Sequence, residues 1–299
     1  MRLAAVDIGS NTVHVLVSDI RNGSLHDLGA YSRTPALGPV VARSGRIGVA
    51  KAEEALADLQ EVLDKARRLG YERLVAAATE AVRNAADREE FLARASEIAG
   101  VAFRLISGDR EAKLSFAGVA SRHAGRGEWL MADLGGGSLE VVAARGPVIV
   151  TSATLPAGSA VLADRHLSDP PRPDQRERLR ADALRLLTGA PEADARRLVV
   201  TGGTATHLAR LVSTRHPPSV LSVDALLQAE ERLDSAPAME LARRYQVPAA
   251  RVIAMRGGVE ILLLLLDWAG LHQLHVSVEG VRHGMLLAYL ERGDDWWRD

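Results

Sequence analysis

Two stretches of the chain repeat one plan of apolar and polar positions. Residues 4–17, AAVDIGSNTVHVLV, run small and apolar, break at Asp-x-Gly-Ser, and turn apolar again. Residues 131–146, MADLGGGSLEVVAARG, do the same with three glycines in the break. Apolar runs on both sides of a glycine turn predict a hairpin. After the first hairpin the pattern gives a strand near 26–33, then apolar residues at helical spacing over 49–69, stopped by Gly70. A buried strand follows at 73–79, a helix at 87–99 behind an Asp cap, a strand at 101–106 and a helix over 109–122.

The plan then restarts. Strands at 129–134 and 139–144 flank the second glycine turn, PVIVTSATL supplies a third, and helices follow near 156–167 and 173–188. RLVVT reads as a strand, GGTATHLARLV as a glycine turn entering a helix, and the remainder as helical apart from QLHVSV at 273–278. Each half therefore reads strand, Asp-Gly turn, strand, strand, helix, strand, helix. This predicts two similar α/β domains, 1–122 and 123–299, hinged near 120–128 with a cleft between them.

Composition narrows the classes. The formal net charge is −1, which argues against a nucleic-acid polymer as partner. There are no cysteines, so thiolate metal sites and cysteine nucleophiles are excluded. The most apolar segment, VEILLLLLDWAG, contains Glu260 and Asp267 and is shorter than a membrane span; it reads as a buried helix. No signal-peptide core precedes Asp7, and the expected compartment is the cytoplasm.

The glycine turns carry the candidate chemistry. Glycine lets a ligand approach the main chain, and successive N–H groups in such turns make an anion-binding concavity. Gly136 and Gly137 offer backbone donors, with Ser138 beside them, and Ser10 and Asn11 stand at the matching turn. Asp7 and Asp133 would repel a phosphate unless they hold a cation, and Mg²⁺ shares its sites with phosphate and water. A plain hairpin turn also favours Asp and Gly. Two such turns in matching places, together with Gly202, Gly203 and Thr204 entering a helix, favour phosphate binding. There is no nucleophile elbow and no Walker loop.

The set VDIGSNTVHVLV, AATEAVRNA, ISGDREAKLSFAGV, DLGGGSLEVV, VVTGGTATHLARL and VEGVRHGML resembles the exopolyphosphatase / guanosine pentaphosphate phosphohydrolase family, in its short two-domain form. The resemblance implies two actin-like (ribonuclease H-like) domains, an Mg²⁺-assisted reaction and a homodimer. Its implied substrate is polyphosphate or guanosine pentaphosphate. It makes Glu111 the base that activates water, Glu140 a second catalytic or metal-linked carboxylate, and Arg83 a phosphate ligand. Arg282 is a weaker phosphate candidate.

Three positions depart from the family pattern. Arg110 replaces an acid, Lys113 an arginine, and Leu139 a threonine. Arg110 either marks a dispensable acid or adds a phosphate-binding cation. An ATP-dependent kinase of the same superfamily and a non-catalytic polyphosphate or alarmone sensor stand as the rival readings. His14 and His207 flank the glycine motifs and suit packing or hydrogen bonding. Trp296 and Trp297 in DDWWRD are expected either to dock on a partner or to lie on a loose tail.

Overall fold

The computed structural model describes all residues except 126, 214 and 299, so the last residue of DDWWRD lies outside what is described. The described chain forms two compact units, one of residues 1–118 with 281–299, the other of residues 119–280.

The first unit is built on β1 (Arg2–Ile8), β2 (Val13–Arg21) and β3 (Ser24–Arg33). Helices α1 (Leu37–Ser44) and α2 (Val49–Leu69) follow, then β4 (Arg73–Ala78), α3 (Glu80–Asn84), α4 (Arg88–Ala99), β5 (Arg104–Leu105) and α5 (Gly108–His123). The strand order is β3-β2-β1-β4-β5. β1 is antiparallel to β2 and parallel to β4, which is parallel to β5. Alternation along β1 sends Ala4, Val6 and Ile8 to one face and Leu3 and Ala5 to the other. The first face receives α2 through Leu56, Leu59, Val62 and Leu63. Full burial of such side chains contributes about 1.5–3 kcal/mol each.

The second unit repeats this order. It runs β6 (Glu128–Leu134), β7 (Leu139–Arg145), β8 (Val148–Leu155), α6 (Ser159–His166), α7 (Pro173–Leu187), β9 (Leu198–Thr201) and α8 (Gly203–Val212). It continues through β10 (Val220–Ser222), α9 (Val223–Asp234), α10 (Ala238–Tyr245), α11 (Ala249–Trp268) and β11 (Gln273–Val276). The sheet order is β10-β11-β9-β6-β7-β8. Read from β8 to β11 it is the order of the first sheet, with β10 added at the edge. The paired α/β units and their common strand order are those of the actin-like fold.

The apolar run near the end is α11, as expected of a buried core helix. Its acid, Glu260, is 1% exposed and accepts from Arg180 at 3.1 Å. Among the described residues no helix is long and apolar enough to cross a membrane.

The chain then re-enters the first unit. Helix α12 (Val281–Arg292) contributes Val281, Met285 and Leu286 to the second face of the first sheet. A Cβ at Gly284 would lie 1.8 Å from the Leu114 carbonyl oxygen, so α12 approaches α5 at a distance only glycine allows. Residues 281–299, grouped by sequence with the second domain, thus belong with the first. The physical reason is the apolar face of α12, which completes a core begun by β1 and β4. Trp296 is buried in that same core, and Arg104 stacks 4.9 Å over Trp297. Trp296 is therefore part of a core and not of a loose tail.

Candidate functional site

In the second unit Asp133 and Glu140 are direct partners in the antiparallel β6–β7 register. Cross-strand partners project from the same side of a sheet. The opposite side carries Leu130, Ala132 and Leu134 into the core, so both carboxylates leave on the other. Glu140 is 1% exposed; Asp133 is half-buried.

The glycine turn closes with a 3.1 Å bond from the Gly135 N–H to the Ser138 carbonyl. Its other carbonyls are taken up by the start of α6. Ser159 N–H donates to Gly135, Ala160 and Val161 to Gly136, each at 3.0 Å, and Gly158 to Gly137 at 3.2 Å. A Cβ on Gly158 would fall 2.1 Å from the Gly137 carbonyl carbon, so glycine is required there. Among the described residues nothing accepts from the N–H groups of Gly136 and Gly137. N–H groups left without an acceptor in such a turn are what an anion-binding concavity requires.

Thr201, at the end of β9, is Asp133's parallel neighbour. Gly202 follows at φ 101°, where a Cβ would meet the Leu134 carbonyl oxygen at 2.5 Å and Asp133 Oδ1 at 3.1 Å. Only glycine brings the two loops this close. Helix α8 then starts at Gly203 with no side chain capping it. Thr204 is buried, and its hydroxyl donates to Ser159 Oγ at 3.2 Å. His207 Nδ1 lies 2.6 Å from the Gly203 carbonyl, the hydrogen-bonding part its sequence position suited. Burial, then the charge of Arg251, pulls its pKa down to about 4, so the ring is neutral at physiological pH.

The first unit presents the same turn. Asp7 faces His14 in the β1–β2 register, and Gly9 N–H donates to the Thr12 carbonyl at 2.9 Å. Gly38 N–H, at the start of α1, donates to the Ser10 carbonyl at 2.6 Å. The cation facing Asp7 is Arg282, whose Nη1 lies 2.5 Å from Oδ1. Ser10 is buried and its hydroxyl donates to Glu80 Oε2 at 2.6 Å. Both amide atoms of the buried Asn11 side chain are without a partner. Arg83 donates to the Ile106 carbonyl at 2.7 Å, and the same Nη1 is 3.9 Å from Glu111 Oε2.

Within each unit the structure gathers the expected residues at the carboxyl ends of the parallel strands, where α/β sheets bind ligands. Asp7, Ser10, Asn11, Arg83 and Glu111 collect in the first; Asp133, Gly136, Gly137, Ser138, Glu140, Gly202, Gly203 and Thr204 in the second. Arg110 lies outside this set. It is buried, and its Nη2 donates to the Trp296 carbonyl, so it ties down the C-terminal segment instead of offering a charge to phosphate. Lys113 pairs with Asp109 at 2.7 Å.

Two residues escaped the sequence reading. Glu80 sits inside the quoted motif AATEAVRNA but reads there as an ordinary first-turn acid. Arg251, in the first turn of α11, packs its guanidinium against Gly203, whose Cβ would meet Nη1 at 2.6 Å. It is 5% exposed, and no described residue accepts from its side chain or pairs with it. Burial alone pulls its pKa down to about 10, leaving it a cation at neutral pH. The available signal was a lone arginine after a proline, too common to single out.

The sequence profile of the Ppx/GppA phosphatase family matches residues 16–293. "Exopolyphosphatase 2" of Mycobacterium tuberculosis is 31% identical over 321 residues, covering 96% of this chain and 98% of that protein. The crystal structure of the Aquifex aeolicus Ppx/GppA family member is 29% identical, with a TM-score of 0.79, covering 98% of this chain and 99% of that one. An exopolyphosphatase structure from Cytophaga hutchinsonii has the same fold, with a TM-score of 0.87 at 23% identity over 97% of this chain and 98% of that one.

Proposed function

Because this chain belongs to the Ppx/GppA phosphatase family, we propose that it hydrolyses phosphoanhydrides, releasing terminal orthophosphate from inorganic polyphosphate. The observation that carries this is the glycine turn beside Asp133 and Glu140. There a donor nest and two carboxylates share one edge of a sheet. Phosphoryl transfer asks a protein mainly to hold oxygens and place a nucleophile. The N–H groups of Gly136 and Gly137, with the Ser138 hydroxyl, hold phosphoryl oxygens. Ser10 and Asn11 do the same at the first turn, and Arg83 adds a positive fork. Glu111 accepts the proton of the attacking water. The relative from M. tuberculosis, an exopolyphosphatase at 31% identity, supports polyphosphate as the substrate.

Two carboxylates in direct register are a donor set that fits Mg²⁺, an ion that usually takes one or two carboxylates and completes its shell with water and phosphate. Asp133 and Glu140 would hold such an ion in the second unit, and in the first unit Asp7 would hold one through the oxygen not bonded to Arg282. When bound, the ion would neutralise charge on the phosphoryl oxygens. The protein acts in the cytoplasm, as a homodimer.

One assay tests the reading: purified protein with Mg²⁺ is given polyphosphate, guanosine pentaphosphate, or ATP with sugar acceptors, and orthophosphate and phosphorylated acceptor are followed. Orthophosphate from polyphosphate is expected. Release from guanosine pentaphosphate alone moves the assignment to that substrate. A phosphorylated acceptor makes the protein a kinase, and binding without turnover makes it a sensor.

A further inference from the structure

Four consecutive residues at the start of α12 each meet a different part of the first unit. Val281 enters the apolar core, Arg282 Nη1 lies 2.5 Å from Asp7 Oδ1, His283 Nε2 lies 3.0 Å from Asp27 Oδ2, and Gly284 packs against the Leu114 carbonyl. The bond from His283 to Asp27 has no part in the chemistry described above. His283 is 6% exposed, and its Nδ1 has no partner among the described residues. A carboxylate offers only acceptors, so Nε2 carries the proton and donates it to β3.

Strand β3 is bent so that this bond can form. Tyr31 packs with the face of the sheet that receives α2, whereas Leu25 packs with the face that receives α12. Six residues apart, the two would share one face of a regular strand. The pairing with β2 shows why they do not. It passes from Val17 opposite Gly29 to Ser18 opposite Asp27, and Leu28 is the extra residue of a bulge. The bulge turns Asp27 to the side of α12. There the fully buried Ser18 donates its hydroxyl to Asp27 Oδ1 at 2.7 Å, and His283 meets Oδ2. Asp7 stands on that same side, since Ala4, Val6 and Ile8 take the other.

Arg282 depends on the helix that carries it. Its side chain is 16% exposed, its Nε has no partner, and Asp7 is its one acceptor among the described residues. A single contact at its tip does not fix a side chain this long. Apolar packing is non-directional and lets a helix turn about its axis. Neighbouring helix residues point about 100° apart, so a directed bond at 283 sets the rotation at 282 as well.

We propose that Asp27 and His283 are positioning residues for Arg282. Their hydrogen bond fixes the first turn of α12, keeps the guanidinium on one oxygen of Asp7, and leaves the other oxygen for a cation. The inference rests on the reading of this protein as a phosphoanhydride hydrolase, in which Asp7 belongs to the site.

The test is two measurements. The first is orthophosphate release from polyphosphate with Mg²⁺, per folded molecule, by the parent, Asp27→Ala, His283→Leu and His283→Gln, the last of which keeps an N–H donor. Asp27→Ala and His283→Leu are expected to lose roughly 10- to 100-fold in rate, as when a ligand's supporting bond is removed, and His283→Gln to recover most of it. In an Arg282→Gln background neither change lowers the rate further. Asp27 is 45% exposed, so Asp27→Ala leaves a folded protein to assay even where His283→Leu does not. A merely structural bond lowers the thermal midpoint and leaves the rate per folded molecule unchanged, which overturns the proposal. The second measurement needs no activity: denaturant unfolding of the parent, Asp7→Asn, Asp27→Ala and the double variant. If the bond places Arg282, Asp7→Asn costs less in the Asp27→Ala background, by roughly 3- to 100-fold in the unfolding equilibrium constant. Additive effects, the behaviour of independent sites, overturn the proposal. If the parent hydrolyses polyphosphate and the effects are additive, the positioning falls and the hydrolase reading stands. If the parent releases nothing yet the effects couple, the positioning stands without the hydrolase.

Discussion

Arg282 Nη1 lies 2.5 Å from Asp7 Oδ1, and both side chains are largely buried. The aspartate of the first glycine turn thus has its counter-charge in α12. Removing one partner of a buried pair strands the other, at a cost of about 3–5 kcal/mol. Asp7→Asn is expected to lower the thermal midpoint markedly, and Asp7→Asn with Arg282→Gln to recover much of the loss. Calorimetric melting of the three proteins checks this; an unchanged midpoint in Asp7→Asn removes the pair from the account.

Asp133 faces a second carboxylate across the ladder, its register partner Glu140. If these two carboxylates hold Mg²⁺, Asp133→Asn weakens orthophosphate release and high Mg²⁺ restores part of it. The titration of rate against Mg²⁺ shifts to higher concentration in the variant. Full parental activity in excess chelator argues against the metal.

Glu111→Gln keeps the shape of the side chain and removes its basicity. Orthophosphate release is expected to fall by roughly 10²–10⁴-fold, the contribution of a positioned acid–base group. Polyphosphate binding should persist, because a negative charge has left a site for a polyanion. Arg83→Ala is expected to raise KM more than it lowers kcat. A Glu111→Gln protein with parental single-turnover rate moves the base to Glu140.

Glu230 gives the stability a pH dependence. Burial, then a hydrogen bond to Glu260, raises its pKa to about 7 from an ordinary 4.5, against the pull of Arg176 at 2.7 Å. Between those values the folded protein keeps a proton that the unfolded chain has lost. Stability therefore falls as pH rises through this window and levels off above it. Glu230→Gln is expected to flatten that fall. Thermal midpoints of both proteins from acid to mildly alkaline pH decide the matter, and parallel curves tell against Glu230 as the source.

The repeat was legible because Asp-x-Gly breaks between apolar runs occur twice, and the fold places both at the same register, Asp7 opposite His14 and Asp133 opposite Glu140. Helix α2 was legible over its full length, 49–69, because its apolar residues recur at helical spacing and a glycine stops it. Short elements were not. β10 is three residues, too few to show a period, and β5 is two residues of the six expected at 101–106. Asp87 was expected to cap α4, yet its carboxylate accepts from the N–H groups of Ile47 and Gly48 at 2.9 Å, a long-range choice no local pattern reveals. Arg251 is the same lesson at the site: its packing against Gly203 joins α11 to α8, a long-range contact no local pattern reveals.

The return of α12 to the first unit has a consequence for synthesis. The second unit is one unbroken stretch, 119–280, whereas the first needs Val281, Met285, Leu286 and Trp296 to close one face of its sheet. Domains usually form in the order in which they leave the ribosome, at about 5–20 residues per second. In this chain that order is reversed at the finish. The second unit has all its residues while the first still exposes Leu3, Ala5, Val75 and Ala77 to whatever is nearby. A nascent chain stalled before residue 281 would carry that apolar strip uncovered, a natural hold for a chaperone.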